Sequence, residues 1–189
     1  MSETLYSVDL TELLGDEIVV DKLDAAGRQL ACSVTMFFQD LDVVSQHTLT
    51  GAAHGILYDL AKKKGVAGSI KDSPLIRPEA RKQFLCAINL PQNYFKHADK
   101  DGEGKLAFRY RISYFYLFDA IRLFILLSET VPYEIKVFLM WFQLRHPDLL
   151  CFPPAEEELT LIREKTSKHE EFKFIARKLL EDWQRQRQP

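Results

Sequence analysis

Apolar residues along the chain recur at steps of three and four, the spacing that aligns side chains on one face of an α-helix. From Asp21, a candidate N-cap, Leu23, Ala26, Leu30, Val34, Phe37 and Phe38 predict a first helix ending near Asp40. Leu49, Ala52, Ala53, Ile56, Leu57 and Leu60 repeat the pattern, with Ser45 as cap and Lys62, Lys63, Lys64 and Gly65 as a cationic last turn and stop. Together they read as a helical hairpin. Pro78 opens a third helix in which Phe84, Leu85, Cys86 and Ile88 face inward. Pro91 is expected to break that helix and to present Gln92 to His97 at a fresh helix start.

Residues 106–110 alternate enough to suggest a short extended piece. The stretch 112–127, with only Ser113, Asp119 and Arg122 polar, predicts a helix buried on most sides. Ile135, Phe138, Leu139, Trp141 and Phe142 mark another over 133–144, closed by His146 and Pro147. Phe152, Pro153 and Pro154 form a rigid link, followed by a Glu-led helix from Ala155. A last helix from about Lys168 carries a stripe of Phe172, Ile175, Leu179 and Trp183. The expectation is an all-α, single-domain bundle of about six to eight helices. A lead segment covers 1–20, the bundle 21–152, and a C-terminal helical appendage 153–189.

Composition supports helices: eight Gly and eight Pro among 189 residues are too few for a turn-dense sandwich, and thirteen Phe supply core material. The net charge of −2 gives no global attraction to nucleic acid or an anionic membrane, so any such site must be local. Cys32, Cys86 and Cys151 show no CxxC spacing and stand in apolar contexts, which predicts buried thiols in a reducing compartment. No basic stretch followed by an apolar run opens the chain, and 112–127 is too short and too charged to span a bilayer. A soluble, cytoplasmic protein with no membrane partner is expected.

Chemical signals are few. Residues 99–106 resemble the first eight positions of an EF-hand loop, but Tyr110 stands where the bidentate Glu must be, so a solvated turn is expected. His47 and His54, seven residues apart, are too distant to chelate one ion as adjacent-turn pairs do. His47 is read as lying at the solvent edge of a first turn, and His54 as a half-buried, hydrogen-bonded ring. Neither metal nor cofactor is expected. Asp119 and Arg122 read as a salt bridge one turn apart. GxSxG, SxxK, P-loop and GxGxxG motifs are absent.

The segment Gln92, Asn93, Tyr94, Phe95, Lys96, His97 resembles a degenerate form of the signature of the HEPN superfamily of helical bundles, in which an Arg and a polar residue precede a His. Gln92 stands in the Arg position, Asn93 in the polar position, and His97 at the shortest allowed spacing. The preceding hairpin also resembles that superfamily, and the resemblance extends over residues 21–127. The segment is similar, too, to uncharacterised bacterial proteins with an Asn-aromatic-Phe-Lys-His-Ala stretch.

The HEPN resemblance implies a dimer in which His and Arg meet across the interface and cut RNA without metal. A neutral Gln92 lacks the guanidinium charge, a loss of about 2–4 kcal/mol of transition-state stabilisation. The reading is therefore a non-catalytic binding module in which Gln92, Asn93 and Lys96 contact a nucleotide or RNA phosphate, with a homodimer as the expected assembly. Two alternatives stay open: a metal-independent endoribonuclease using His97 as its catalytic residue, and a purely structural interaction scaffold.

Overall fold

The computed structural model describes residues 15–72, 78–97, 102–146 and 169–186. Six α-helices occur among them: α1 (Lys22–Phe38), α2 (Val43–Lys63), α3 (Pro78–Tyr94), α4 (Ile112–Leu127), α5 (Tyr133–Arg145) and α6 (His169–Gln186). A 3₁₀ turn spans Ile70–Asp72, and the described residues contain no strand, so the extended piece anticipated at 106–110 is irregular backbone. The all-α expectation holds.

The Asp21 carboxylate accepts the Asp24 N–H at 2.8 Å and starts α1 as predicted. Helix α2 starts earlier than expected, because Asp42 rather than Ser45 is its cap. The Asp42 side chain accepts the Ser45 N–H at 2.7 Å. Gly65, at φ +67°, supplies the left-handed residue that ends α2.

Ala26, Leu30, Val34 and Phe38, four residues apart, form the buried stripe of α1. This stripe packs on α2, α4 and α5. Gly27 lets α1 approach α4 closely, since a Cβ there would lie 3.0 Å from the Phe124 ring. Leu57, Leu117, Ile121, Ile135, Phe138 and Phe142 complete the centre of the core. At about 1.5–3 kcal/mol for each large side chain, this layer supplies the main driving force for folding.

Two further expectations, the break at Pro91 and the buried thiols, require correction. Pro91 does not break α3, which runs through it to Tyr94, so Gln92 to His97 occupy a helix C-terminus rather than a start. The proline removes one N–H from the ladder, but Ala87, four residues earlier, is exposed, and water can satisfy its carbonyl. Cys32 and Cys86 are exposed. Each lies two residues before or after a buried aliphatic, Leu30 or Ile88, and two positions rotate a side chain to the opposite side of a helix. Cys151 lies outside the described residues, as do the link at Phe152 to Pro154 and the helix expected from Ala155.

Helix α6 packs on α1 and α5 through Ala176 and Leu180, which are fully buried. Ile175, expected in the inward stripe, is exposed. The side chains of Phe172, Leu179 and Trp183 lie outside the described residues. Arg177 ties α6 to the end of α1, its Nε donating to the Phe38 carbonyl at 2.8 Å. None of the helices among the described residues is long and apolar enough to cross a membrane.

Candidate functional site

The segment singled out from the sequence does not assemble into a cradle. Gln92 turns inward: its Oε1 accepts the Tyr116 hydroxyl at 3.2 Å, and its side chain lies against Gly51. A Cβ at Gly51 would come within 2.6 Å of the Gln92 Cδ, so the glycine is what admits the amide between α2 and α4. Asn93, Lys96 and His97 are exposed, and the Asn93 carbonyl accepts the N–H groups of Lys96 and His97 in the last turn. Gln92 therefore faces away from the surface that carries the other three. In the charged turn that follows, Gly102 to Lys105 are exposed, and the Tyr94 hydroxyl donates to the Gly104 carbonyl.

Polar residues cluster instead between α2 and α4. His47, placed by sequence reasoning at the solvent edge, is fully buried, with Nδ1 3.0 Å from the Ser113 Oγ and its ring enclosed by Phe95, Phe108 and Tyr116. Burial, reinforced by the nearby Lys96 charge, lowers its pKa to about 4. The ring is neutral at pH 7. Two turns along, His54 is also fully buried rather than half-buried, and its Nε2 donates to Asp119 Oδ2 at 2.8 Å.

The Asp119 carboxylate also accepts the Ser69 hydroxyl at 3.2 Å and the Ile70 N–H at 2.9 Å. Burial holds His54 below its ordinary pKa, with the Asp119 hydrogen bond opposing and Lys71 adding to the shift. The Asp119 to Arg122 pair is present only at 4.0 Å, with the arginine half exposed, so Asp119 is mainly an anchor for the 69–71 segment. This network is a staple between α2, α4 and the 3₁₀ turn. Among the described residues no group of three His, Cys, Asp or Glu could hold a metal ion.

Where α1 and α5 end and α2 and α4 begin, a cleft of about 330 Å³ opens. Phe37, Tyr110, Tyr114 and Trp141 supply its aromatic lining, Arg111, Arg145 and Lys173 its cations, and Asp40 its one carboxylate. Gln46 and Ser113 lie at its inner end, Ser113 bonded to His47 behind it. Helix α4 starts after Arg111 with no side-chain cap; the Ile112 and Ser113 N–H groups donate instead to the Arg109 and Tyr110 carbonyls at 3.1 and 2.9 Å. Asp40 is engaged by Lys173, which also lines the cleft, and by Arg177, whose Nη2 lies 2.6 Å from Oδ2. Burial raises the Asp40 pKa, but these two cations outweigh it and hold the carboxyl below its ordinary value.

Sequence reasoning missed this cleft because its residues come from five helices, the link between α1 and α2, and the turn before α4. The signal available in the sequence was the Tyr110, Arg111, Ser113, Tyr114 run, aromatic and cationic residues interleaved at a helix start. Comparison with known proteins finds no matching family model, no similar curated protein and no similar solved structure.

Proposed function

We propose that this chain is a non-catalytic binding module whose cleft takes a small planar anion of the mononucleotide class. One observation carries the reading: four aromatic side chains and three cations line a single cleft of about 330 Å³. That volume lies in the range of small-molecule sites, at about 300–1,000 Å³. The exposed ring of Tyr110 is open to a flat ligand ring, while Arg111 and Arg145 offer planar guanidinium groups that match phosphate oxygens in pairs.

The non-catalytic reading rests on Gln92, a neutral residue where the HEPN pattern has Arg, and its inward hydrogen bond with Tyr116 supports that reading. The binding residues are relocated from Gln92, Asn93 and Lys96 to the cleft. A homodimer draws support from Phe174 and Ile175, exposed on α6. Sedimentation equilibrium tests it, and a monomer at micromolar concentration removes it.

Isothermal titration calorimetry with adenosine and guanosine monophosphates, the matching nucleosides and inorganic phosphate tests the ligand class. Monophosphates are expected to bind more tightly than either half alone. Arg145→Ala should weaken them by about tenfold to a hundredfold, the loss of a charge-assisted contact worth about 1.5–3 kcal/mol. Heat from a short single-stranded RNA but from no mononucleotide would replace the proposed ligand with a polymer, and no heat from any of them would remove the reading.

A further inference from the structure

Asp40 occupies an unusual position in the cleft. It is the one residue other than glycine with positive φ among the described residues, at φ +53°, a conformation that Asp and Asn tolerate better than most. This conformation, just past the end of α1, sets its carboxylate against two cations of α6. The two cations differ in placement. Lys173 lines the cleft, its ammonium 5.0 Å above the Phe37 ring, whereas Arg177 does not line it and donates through Nε to the Phe38 carbonyl. Asp40 therefore spans one cation that faces the cleft and one that stands behind it.

We infer that Asp40 is an internal competitor for the anion of the ligand: it occupies Lys173 in the empty cleft, and a bound phosphate takes Lys173 while Asp40 stays on Arg177. The inference rests on the cleft being a site for an anionic ligand. Its physical basis is charge. A carboxylate and a phosphate cannot both sit beside one ammonium without repelling each other, and the carboxylate of Asp40 has a second cation to fall back on. Arg177 is suited to that retaining role, because its bond to the Phe38 carbonyl fixes the guanidinium whether or not Lys173 is engaged. The exchange leaves α6 attached to the bundle through Arg177, Ala176 and Leu180 while the cleft opens to ligand.

The competitor role separates two variants that a merely structural role would move together. Asp40→Asn keeps a side chain suited to positive φ and removes the charge. It is expected to bind guanosine monophosphate about tenfold more tightly than the parent chain. Arg177→Ala removes the fallback cation and leaves Asp40 on Lys173, so it should bind the same nucleotide several-fold more weakly although Arg177 does not line the cleft. In the double variant the tightening should return, since no carboxylate is left to compete.

Calorimetry at matched ionic strength, with thermal melts showing each variant folded, gives the answer, and Asp40→Gly substitutes if Asp40→Asn fails to fold. Weaker binding by Asp40→Asn would overturn the inference by showing that the carboxylate positions Lys173 for the ligand. Unchanged affinity would overturn it by showing that Asp40 and the ligand do not meet. A parent chain that binds none of the mononucleotides instead refutes the ligand-binding reading itself.

Discussion

Acid should destabilise this protein through His47, and the size of the effect follows from where the ring lies. His47 is fully buried among Phe95, Phe108 and Tyr116, its Nδ1 meets Ser113, and its Nε2 has no partner among the described residues. Protonation would place a charge in that aromatic enclosure with the Lys96 charge nearby, which is why the pKa falls from 6.5 to about 4. A folded-state value below the unfolded one means that the unfolded chain takes up the proton first. Stability from this group is therefore complete above about pH 6.5 and is lost as pH falls towards 4.

Between pH 7 and pH 5 the loss amounts to about 2 kcal/mol, rising to about 3 kcal/mol below the folded-state value. His54, also held below its ordinary value, adds to the same slope in the parent chain. The difference between the parent and His47→Gln isolates His47, because glutamine can still meet Ser113 but does not titrate. Urea unfolding followed by circular dichroism at half-unit steps from pH 7 to pH 5 measures it. The parent should lose about 2 kcal/mol more than the variant, and parallel curves would refute the reasoning.

Further outcomes follow from the same contacts. Asp119→Ala strips the acceptor from His54, Ser69 and the Ile70 N–H, and should cost about 3 kcal/mol in urea melts, with faster amide exchange over 69–72. Gly51→Ala forces Gln92 aside and should destabilise the chain by about 1–2 kcal/mol. In a Gln92→Ala background the same change should turn neutral or stabilising by up to about 1 kcal/mol, as expected for Gly to Ala within a helix, and a double-mutant cycle without coupling would contradict the contact.

Much of the helical frame was legible because it is governed by local rules. The spacing of Leu30, Val34 and Phe38, the cap at Asp21, the stop at Gly65 and the apolar run from Ile112 to Leu127 all act within a few residues, and the structure shows each. What misled was context that spacing does not contain. Proline inside a helix predicts a break, yet Pro91 sits buried near the end of α3 and costs one hydrogen bond, at the exposed Ala87, that water can replace. Spacing puts His47 at the solvent edge and His54 half in the core; both are fully buried because α4 places Ser113 and Asp119 opposite them, some 65 residues away in sequence. The hydrogen bonds supplied there by α4 let these rings be buried.

The candidate site was less legible than the fold for the same reason. Phe37 ends one helix and Asp40 lies just past it, Gln46 begins the next, Trp141 and Arg145 end another, and Lys173 comes from α6. No local pattern joins them. The resemblance drew attention to Gln92, Asn93, Lys96 and His97, a contiguous segment, whereas the cleft arises from helix ends that meet only when the bundle forms.

The central claim, a mononucleotide seated against the aromatic wall of this cleft, is tested most directly by the fluorescence of Trp141, which lines it. The chain has two tryptophans, so Trp183→Phe leaves Trp141 as the single reporter. Titration with guanosine monophosphate should quench that emission saturably, with a midpoint raised at least about tenfold by Arg145→Ala. Emission that stays constant through millimolar nucleotide, in a chain that melts as the parent does, would contradict the account.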